Sequence, residues 1–271
     1  MKRKNILILA PHPDDEFLNC SSILSRSRDV SVIYATNGDF TGKAATETRY
    51  RESLAAMRMV GLGPGEMIYL GYGDRGGNRE SSFLAALLDA ALDTTPLASS
   101  VSAHTYGPRE HPEYHFRRYG THAPYTRRSF LDDLSDLFCQ LRPHAVFLPS
   151  LLDFHWDHRG LNMLAHQALE RLPVSPICFT YLTHYGSDRD WPNRKGPDFQ
   201  IPCGFPPDQW SSRIEMPVSV SQKAKLLEPF SSQRSGDGYL EAFCKRQEVY
   251  WYESMEAGHG EQDVIDSLLS G

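Results

Sequence analysis

The feature that most constrains this chain is a repeating alternation of short apolar runs with stretches of helical period. Asn5–Ala10 carries Ile6, Leu7, Ile8 and Leu9, is closed by Pro11 and Pro13, and reads as a strand buried on both faces. Val30–Thr36, Met67–Leu70, Ala145–Leu148 and Ile177–Leu182 read as four more strands. Between them, helices are expected over Phe17–Ser25, around Tyr50, Leu54 and Met57 up to a stop at Gly61, over Phe83–Leu92, over Phe130–Leu141, and along the Leu161, Leu164, Ala165, Ala168 and Leu172 face. Strands that alternate with helices give an α/β chain, here a Rossmann-like three-layer fold with a mostly parallel sheet and helices on both faces. Ligands of such sheets sit beyond the carboxyl ends of the strands.

At 271 residues the chain suits one domain with a sizeable core. Two stretches leave the alternation. Residues 99–129 are rich in His, Tyr and Arg, and residues 186–217 are rich in proline. The first is expected to be a substrate lid inserted into the domain, the second an excursion near the active-site edge.

Composition excludes several classes. A net charge of −6 disfavours non-specific nucleic-acid binding, which depends on neutralising phosphates. Five scattered cysteines without a Cys-x-x-Cys pair give neither a disulfide framework nor a thiolate zinc site. No apolar run is long enough to span a membrane, and the start MKRKNILILA is too short in its apolar part for a signal peptide. A cytoplasmic location is the expectation, and a homo-oligomer is left open.

Two motifs carry chemistry. Pro11-His12-Pro13-Asp14-Asp15-Glu16 follows the first strand, and Asp153-Phe154-His155-Trp156-Asp157-His158 follows the fourth. Adjacent carboxylates repel unless something offsets their charge, and a divalent cation does so. The purely structural alternatives are a solvated acidic turn and a helix start capped by Asp157 with two surface histidines. Both motifs stand at the same edge of a parallel sheet, which favours a shared ion. Catalytic zinc takes three protein ligands and keeps one position for water. His12, Asp15 and His158 complete such a set, with Asp14 and His155 left over, although spacing alone leaves open which carboxylate binds.

The run PHPDDE, followed much later by HWDH, resembles the PIG-L/LmbE-like family of zinc-dependent N-acetyl-sugar deacetylases. The resemblance implies metal ligands at His12, Asp15 and His158, a general base at Asp14, and an oxyanion-stabilising His155 with Asp157 as its electrostatic partner. It matches Arg49 of the Arg49-x-x-Glu52 helix and Asp74 to substrate contacts, and it extends to the segment KAKLLEPFSSQ from Lys223. It implies Zn2+ as cofactor, with Fe2+ an admissible substitute, and a small N-acylated sugar or sugar conjugate as substrate. The 99–129 segment adds Arg109 and Arg127, read as contacts to an anionic substituent, against the alternative of a solvated insertion.

Other signals rank lower. Gly71-Tyr72-Gly73-Asp74-Arg75-Gly76 spells a dinucleotide-binding run, but no helix opens within it. Asp153-x-His155-x-Asp157-His158 echoes a dinuclear hydrolase motif with Asp in place of its first His, which would leave PHPDDE unexplained. A non-catalytic sugar- or nucleotide-binding module is the remaining alternative. His144 and His184 carry no spacing signal, and His166 reads as structural.

Overall fold

A computed structural model describes residues 5–173, 175–186 and 191–253. The MKRK start and four residues of the Pro-rich excursion lie outside them. Seven strands form one sheet, and the first five are the expected ones: β1 (Ile6–Ala10), β2 (Val30–Thr36), β3 (Met67–Tyr72), β4 (Ala145–Pro149) and β5 (Ile177–Tyr181). These five pair in parallel in the order β3-β2-β1-β4-β5. The sheet is extended by β6 (Ile214–Pro217) and β7 (Gln247–Glu253), with β7 antiparallel to both β5 and β6. These last two strands were not anticipated.

Strand order reverses between β1 and β4, whose register pairs Ile6 with Ala145 and Ile8 with Phe147. That reversal opens the crevice in which doubly wound sheets place ligands. Both chemical motifs leave the sheet there.

Because side chains alternate along a strand, each strand feeds two cores. Ile6, Ile8 and Ala10 pack with Phe17 and Leu24 of α1 (Asp15–Arg26), Leu54 and Met57 of α2 (Lys43–Met59), and Leu226 of a helix near the C-terminus, Val220–Leu227. Leu7 and Leu9 pack on the other face. Their partners are Phe83 of α3 (Phe83–Ala86), Leu134 of the helix Arg127–Leu141, and Leu161 and Leu164 of the helix Trp156–Leu169. In chain order a short α4 (Tyr114–Tyr119) precedes α5 (Arg127–Leu141) and α6 (Trp156–Leu169), and α7 (Pro207–Ser211) precedes α8 (Val220–Leu227). Three layers result, as expected. No described helix is long and apolar enough to cross a membrane.

Two expectations need correction. The helix read over Phe83–Leu92 stops at Ala86, and a separate single turn covers Ala90–Leu92. The Asp89 carboxylate accepts the Ala91 N–H and starts that turn afresh, a local side-chain bond that competes with helix continuation. Second, residues 99–129 cover the β3 edge. Tyr106 donates its backbone N–H to Gly71 O, His111 Nε2 meets Met67 O at 2.7 Å, and Thr105 N–H bonds Ala123 O. This covering hides the unpaired groups of an edge strand.

Candidate metal centre and active site

The first motif turns sharply out of β1 into α1. Asp14 stands at the N-cap of α1 with φ +142°, a backbone conformation costly for a residue with a side chain. The surroundings hold it there. Its N–H donates to Glu16 Oε2 at 2.8 Å, and its carbonyl accepts from Phe17 and Leu18. Arg49, on α2, donates to Pro13 O at 2.8 Å and to Asp14 Oδ2 at 2.9 Å. Glu16 is fully buried and also accepts from the Tyr34 hydroxyl, and burial together with the Asp14 charge pushes it up to about 8. Asp14 is pushed up to about 6, by burial first and by Asp15 next, with Arg49 opposing. Burial would likewise raise Asp15, but His158 and His12 hold it well below the ordinary range.

The second motif runs into α6, whose N-cap is His155, with Nδ1 accepting from the Asp157 N–H. The cap is therefore not Asp157. The Asp157 carboxylate, fully buried, accepts from Ser82 Oγ and from Leu84 N–H, and its Oδ2 lies 3.3 Å from His12 Nε2. Asp157 still acts electrostatically on His155, as expected, but its direct contact is with His12, on the side where Ser82 and α3 hold the carboxylate.

Three sets of side chains each bring one possible ligand atom per residue within 4.8 Å of one another: His12, His155 and His158; Asp153, His158 and His184; and His12, Asp74 and Asp157. Asp15 ties the first set together. Its Oδ2 lies 3.3 Å from His12 Nδ1 and 3.4 Å from His158 Nε2. Tetrahedral zinc with bonds of about 2.0–2.1 Å has ligand-to-ligand edges of about 3.3–3.4 Å. The outer nitrogens face carboxylates, His12 Nε2 toward Asp157 and His158 Nδ1 toward Asp153 Oδ2 at 3.2 Å. Such backing sets the tautomer and ring orientation of a metal-binding histidine. Both nitrogens of the fully buried His158 lack a partner in hydrogen-bonding geometry. Buried polar atoms are seldom left so, and the donor set suits a divalent metal.

A cavity of about 190 Å³ opens beside these atoms. His12, Asp14, Asp15, Arg49, Asp74, His155, His184, Gln233 and Tyr239 are among the residues that line it. Burial raises Asp74, while burial and the neighbouring His12 and His158 push His155 down to about 2. Arg109 and Arg127 do not line the cavity. Arg127 bonds Asp93 Oδ1 and Gln167 Oε1, and Arg109 is exposed and donates its backbone N–H to Glu47. Arg118, Arg127 and Arg128 of this segment pair with Asp136 and Asp93.

Sequence reasoning missed several contributors. Gly77 lies so close to His155 that a Cβ there would stand 2.6 Å from ring atom Cδ2. His184 follows β5 at the same sheet edge, and that position was its only available signal. Gln233 and Tyr239 reach the cavity from the C-terminal part of the chain. Glu52 anchors the turn before Gln233 by accepting from Ser231 Oγ, Ser232 N–H and Ser232 Oγ.

Fold and site together define an α/β enzyme with a candidate metal centre at the carboxyl edge of its sheet. The chain belongs to the PIG-L family: the profile of the GlcNAc-PI de-N-acetylases matches residues 7–169. No curated protein matches it in sequence. Among solved structures, a deacetylase of the teicoplanin biosynthesis pathway is 16% identical, with 93% of this chain and 100% of that chain covered and a TM-score of 0.55. The N,N'-diacetylchitobiose deacetylase of Pyrococcus horikoshii is 15% identical over 93% of this chain and 84% of that one, with a TM-score of 0.53. A 4-carboxy-2-hydroxymuconate hydratase from a Pseudomonas is equally similar in fold, at 12% identity over 95% of this chain and 98% of that one, with a TM-score of 0.53. The fold thus serves more than one chemistry, and the side chains must decide.

Proposed function

We propose that this enzyme removes the N-acetyl group of an amino sugar or amino-sugar conjugate with the help of Zn2+ held by His12 Nδ1, Asp15 Oδ2 and His158 Nε2. The observation that carries this reading is that Asp15 Oδ2 lies at a tetrahedral edge length from both His12 Nδ1 and His158 Nε2, with Asp157 and Asp153 behind the two imidazoles. A bound divalent metal supplies Lewis acidity and lowers the pKa of water.

Asp14 is the general base. It lies next to the ligand Asp15, lines the cavity, and is oriented by Arg49. The same ion pair opposes the burial-driven rise of Asp14. His155 also lines the cavity and donates to the oxygen on which charge develops. A preorganised donor of this kind is worth about 3–4 kcal/mol. Its Nδ1 accepts from the Asp157 N–H, so the ring proton of the neutral form sits on Nε2. Asp74 and Arg49 are the contacts offered to the sugar, and the polar cavity suits hydroxyl groups. The likeness in fold to the chitobiose and teicoplanin deacetylases supports the acylated-sugar reading.

Acetate release from a panel of N-acetyl amino sugars, with and without chelator, tests the proposal. Metal-dependent release that Asp14→Asn abolishes without loss of bound metal is the expected result. Release that is indifferent to chelator or to Asp14→Asn refutes it.

A further inference from the structure

His184 is a third imidazole lining the cavity, beside His12 and His155, and the resemblance assigned it nothing. Its surroundings are built. Asp153, fully buried, accepts three backbone N–H bonds: from His155 to Oδ1 at 2.9 Å, and to Oδ2 from Thr183 at 2.9 Å and from His184 at 3.0 Å. With three backbone N–H donors on its two oxygens, this carboxyl acts as an acceptor. An ionised carboxylate only accepts hydrogen bonds. Its Oδ1 lies 3.3 Å from His184 Nδ1, so Nδ1 carries the ring proton and Nε2 is left bare. The His184 ring is further fixed by stacking against Tyr239, at 5.8 Å and 10° between planes, and by an edge contact with His158 at 4.9 Å.

His155 is set the other way. A backbone N–H occupies its Nδ1, so its proton lies on Nε2. The two ring centroids are 5.4 Å apart, and both side chains line the same cavity. The site therefore holds a donor and an acceptor of identical side-chain type, distinguished only by what stands behind each ring. A secondary amide offers a carbonyl oxygen that accepts and an N–H that donates.

We infer that His155 and His184 form a complementary pair that reads the acyl-amide group, His155 donating from Nε2 to the carbonyl oxygen and His184 accepting at Nε2 from the amide N–H. This rests on the deacetylase reading and deepens it, because it makes the site select amides over esters. An ester has no N–H and leaves the His184 nitrogen unpaired. Asp153 acts through both His158 and His184, and is a positioning residue for each.

The tautomers are read directly by long-range proton–nitrogen NMR on zinc-loaded protein labelled with 15N-histidine, with His184→Asn and His155→Asn used for assignment. The expected result is a protonated Nδ1 at His184 and a protonated Nε2 at His155. A protonated Nε2 at His184, or one common tautomer at both, overturns the inference without touching the deacetylase reading. The activity arm compares an N-acetyl amino sugar with its O-acetyl analogue. His184→Asn retains a donor toward Asp153 but removes the acceptor. It is expected to lower kcat/KM on the amide about 10- to 100-fold and on the ester less than about threefold, with bound zinc unchanged. His184→Gln, which places an oxygen near the lost nitrogen, is expected to recover part of the amide rate. Equal losses on amide and ester, or loss of zinc from His184→Asn, overturn the inference. A wild-type protein that hydrolyses no amide while showing the expected tautomers refutes the deacetylase reading instead.

Discussion

Gly77→Ala isolates the placement of His155 without changing any polar group. A Cβ at position 77 would stand 2.6 Å from His155 Cδ2, 2.9 Å from Nε2 and 3.2 Å from Cγ. Non-bonded carbon contacts settle at about 3.5–4.0 Å, so the ring or the loop must move by about 1 Å. The loop cannot easily give way, because Gly77 O accepts the Trp156 N–H at 2.8 Å at the start of α6. The His155 ring is tied at Nδ1 to the Asp157 N–H, so displacement also strains the helix cap. Overpacking of this kind costs about 1–3 kcal/mol of stability. A 1 Å misplacement of a catalytic group costs about 100-fold in rate. Gly77→Ala is therefore expected to lower kcat for acetate release about 100-fold, with bound metal unchanged and Tm reduced by a few degrees. Steady-state acetate release, elemental analysis and thermal melts are the assays. A folded, metal-replete variant with wild-type kcat refutes the placement of His155 at the reacting group.

Arg49→Met removes the charge that opposes the burial-driven rise of Asp14. The acidic limb of the kcat/KM–pH profile should move upward by about 1–3 units, and an unmoved limb would detach Asp14 from that limb. Asp133 is buried and, despite His115, is pushed up from its ordinary 3.8 to about 6, by burial above all. The folded state then binds more protons than the unfolded state between those values. Stability should fall as pH rises from about 4 to 6, and Asp133→Asn should flatten that slope in denaturant titrations at fixed pH. Arg127→Ala breaks bonds to Asp93 and Gln167 and should lower stability by about 1 kcal/mol while leaving KM unchanged, as should Arg109→Ala for KM. A raised KM in either variant would restore the lid reading of residues 99–129.

Much of the fold was legible because parallel strands buried on both faces leave continuous apolar runs, as in Ile6–Leu9, and their order follows from the helices between them. The β6–β7 extension was not read, since its pattern is mixed and its partners lie far apart in the chain. The two runs that line the candidate metal centre were legible because short, dense stretches of His and Asp at strand ends have few structural uses. His184 was not, because a lone histidine after β5 gains meaning only once Asp153 lies behind it. The contact of Asp157 with His12 was equally hidden, since it depends on where Ser82 and α3 hold the carboxylate. Arg109 and Arg127 were read from charge density, which does not say which way a segment faces.

The central claim is tested most directly by anomalous diffraction at the zinc edge on crystals of metal-loaded protein. The account predicts a single strong peak about 2.0–2.1 Å from His12 Nδ1, Asp15 Oδ2 and His158 Nε2. A peak bound instead by Asp153 or Asp74, or no peak among these residues at full metal loading, contradicts it.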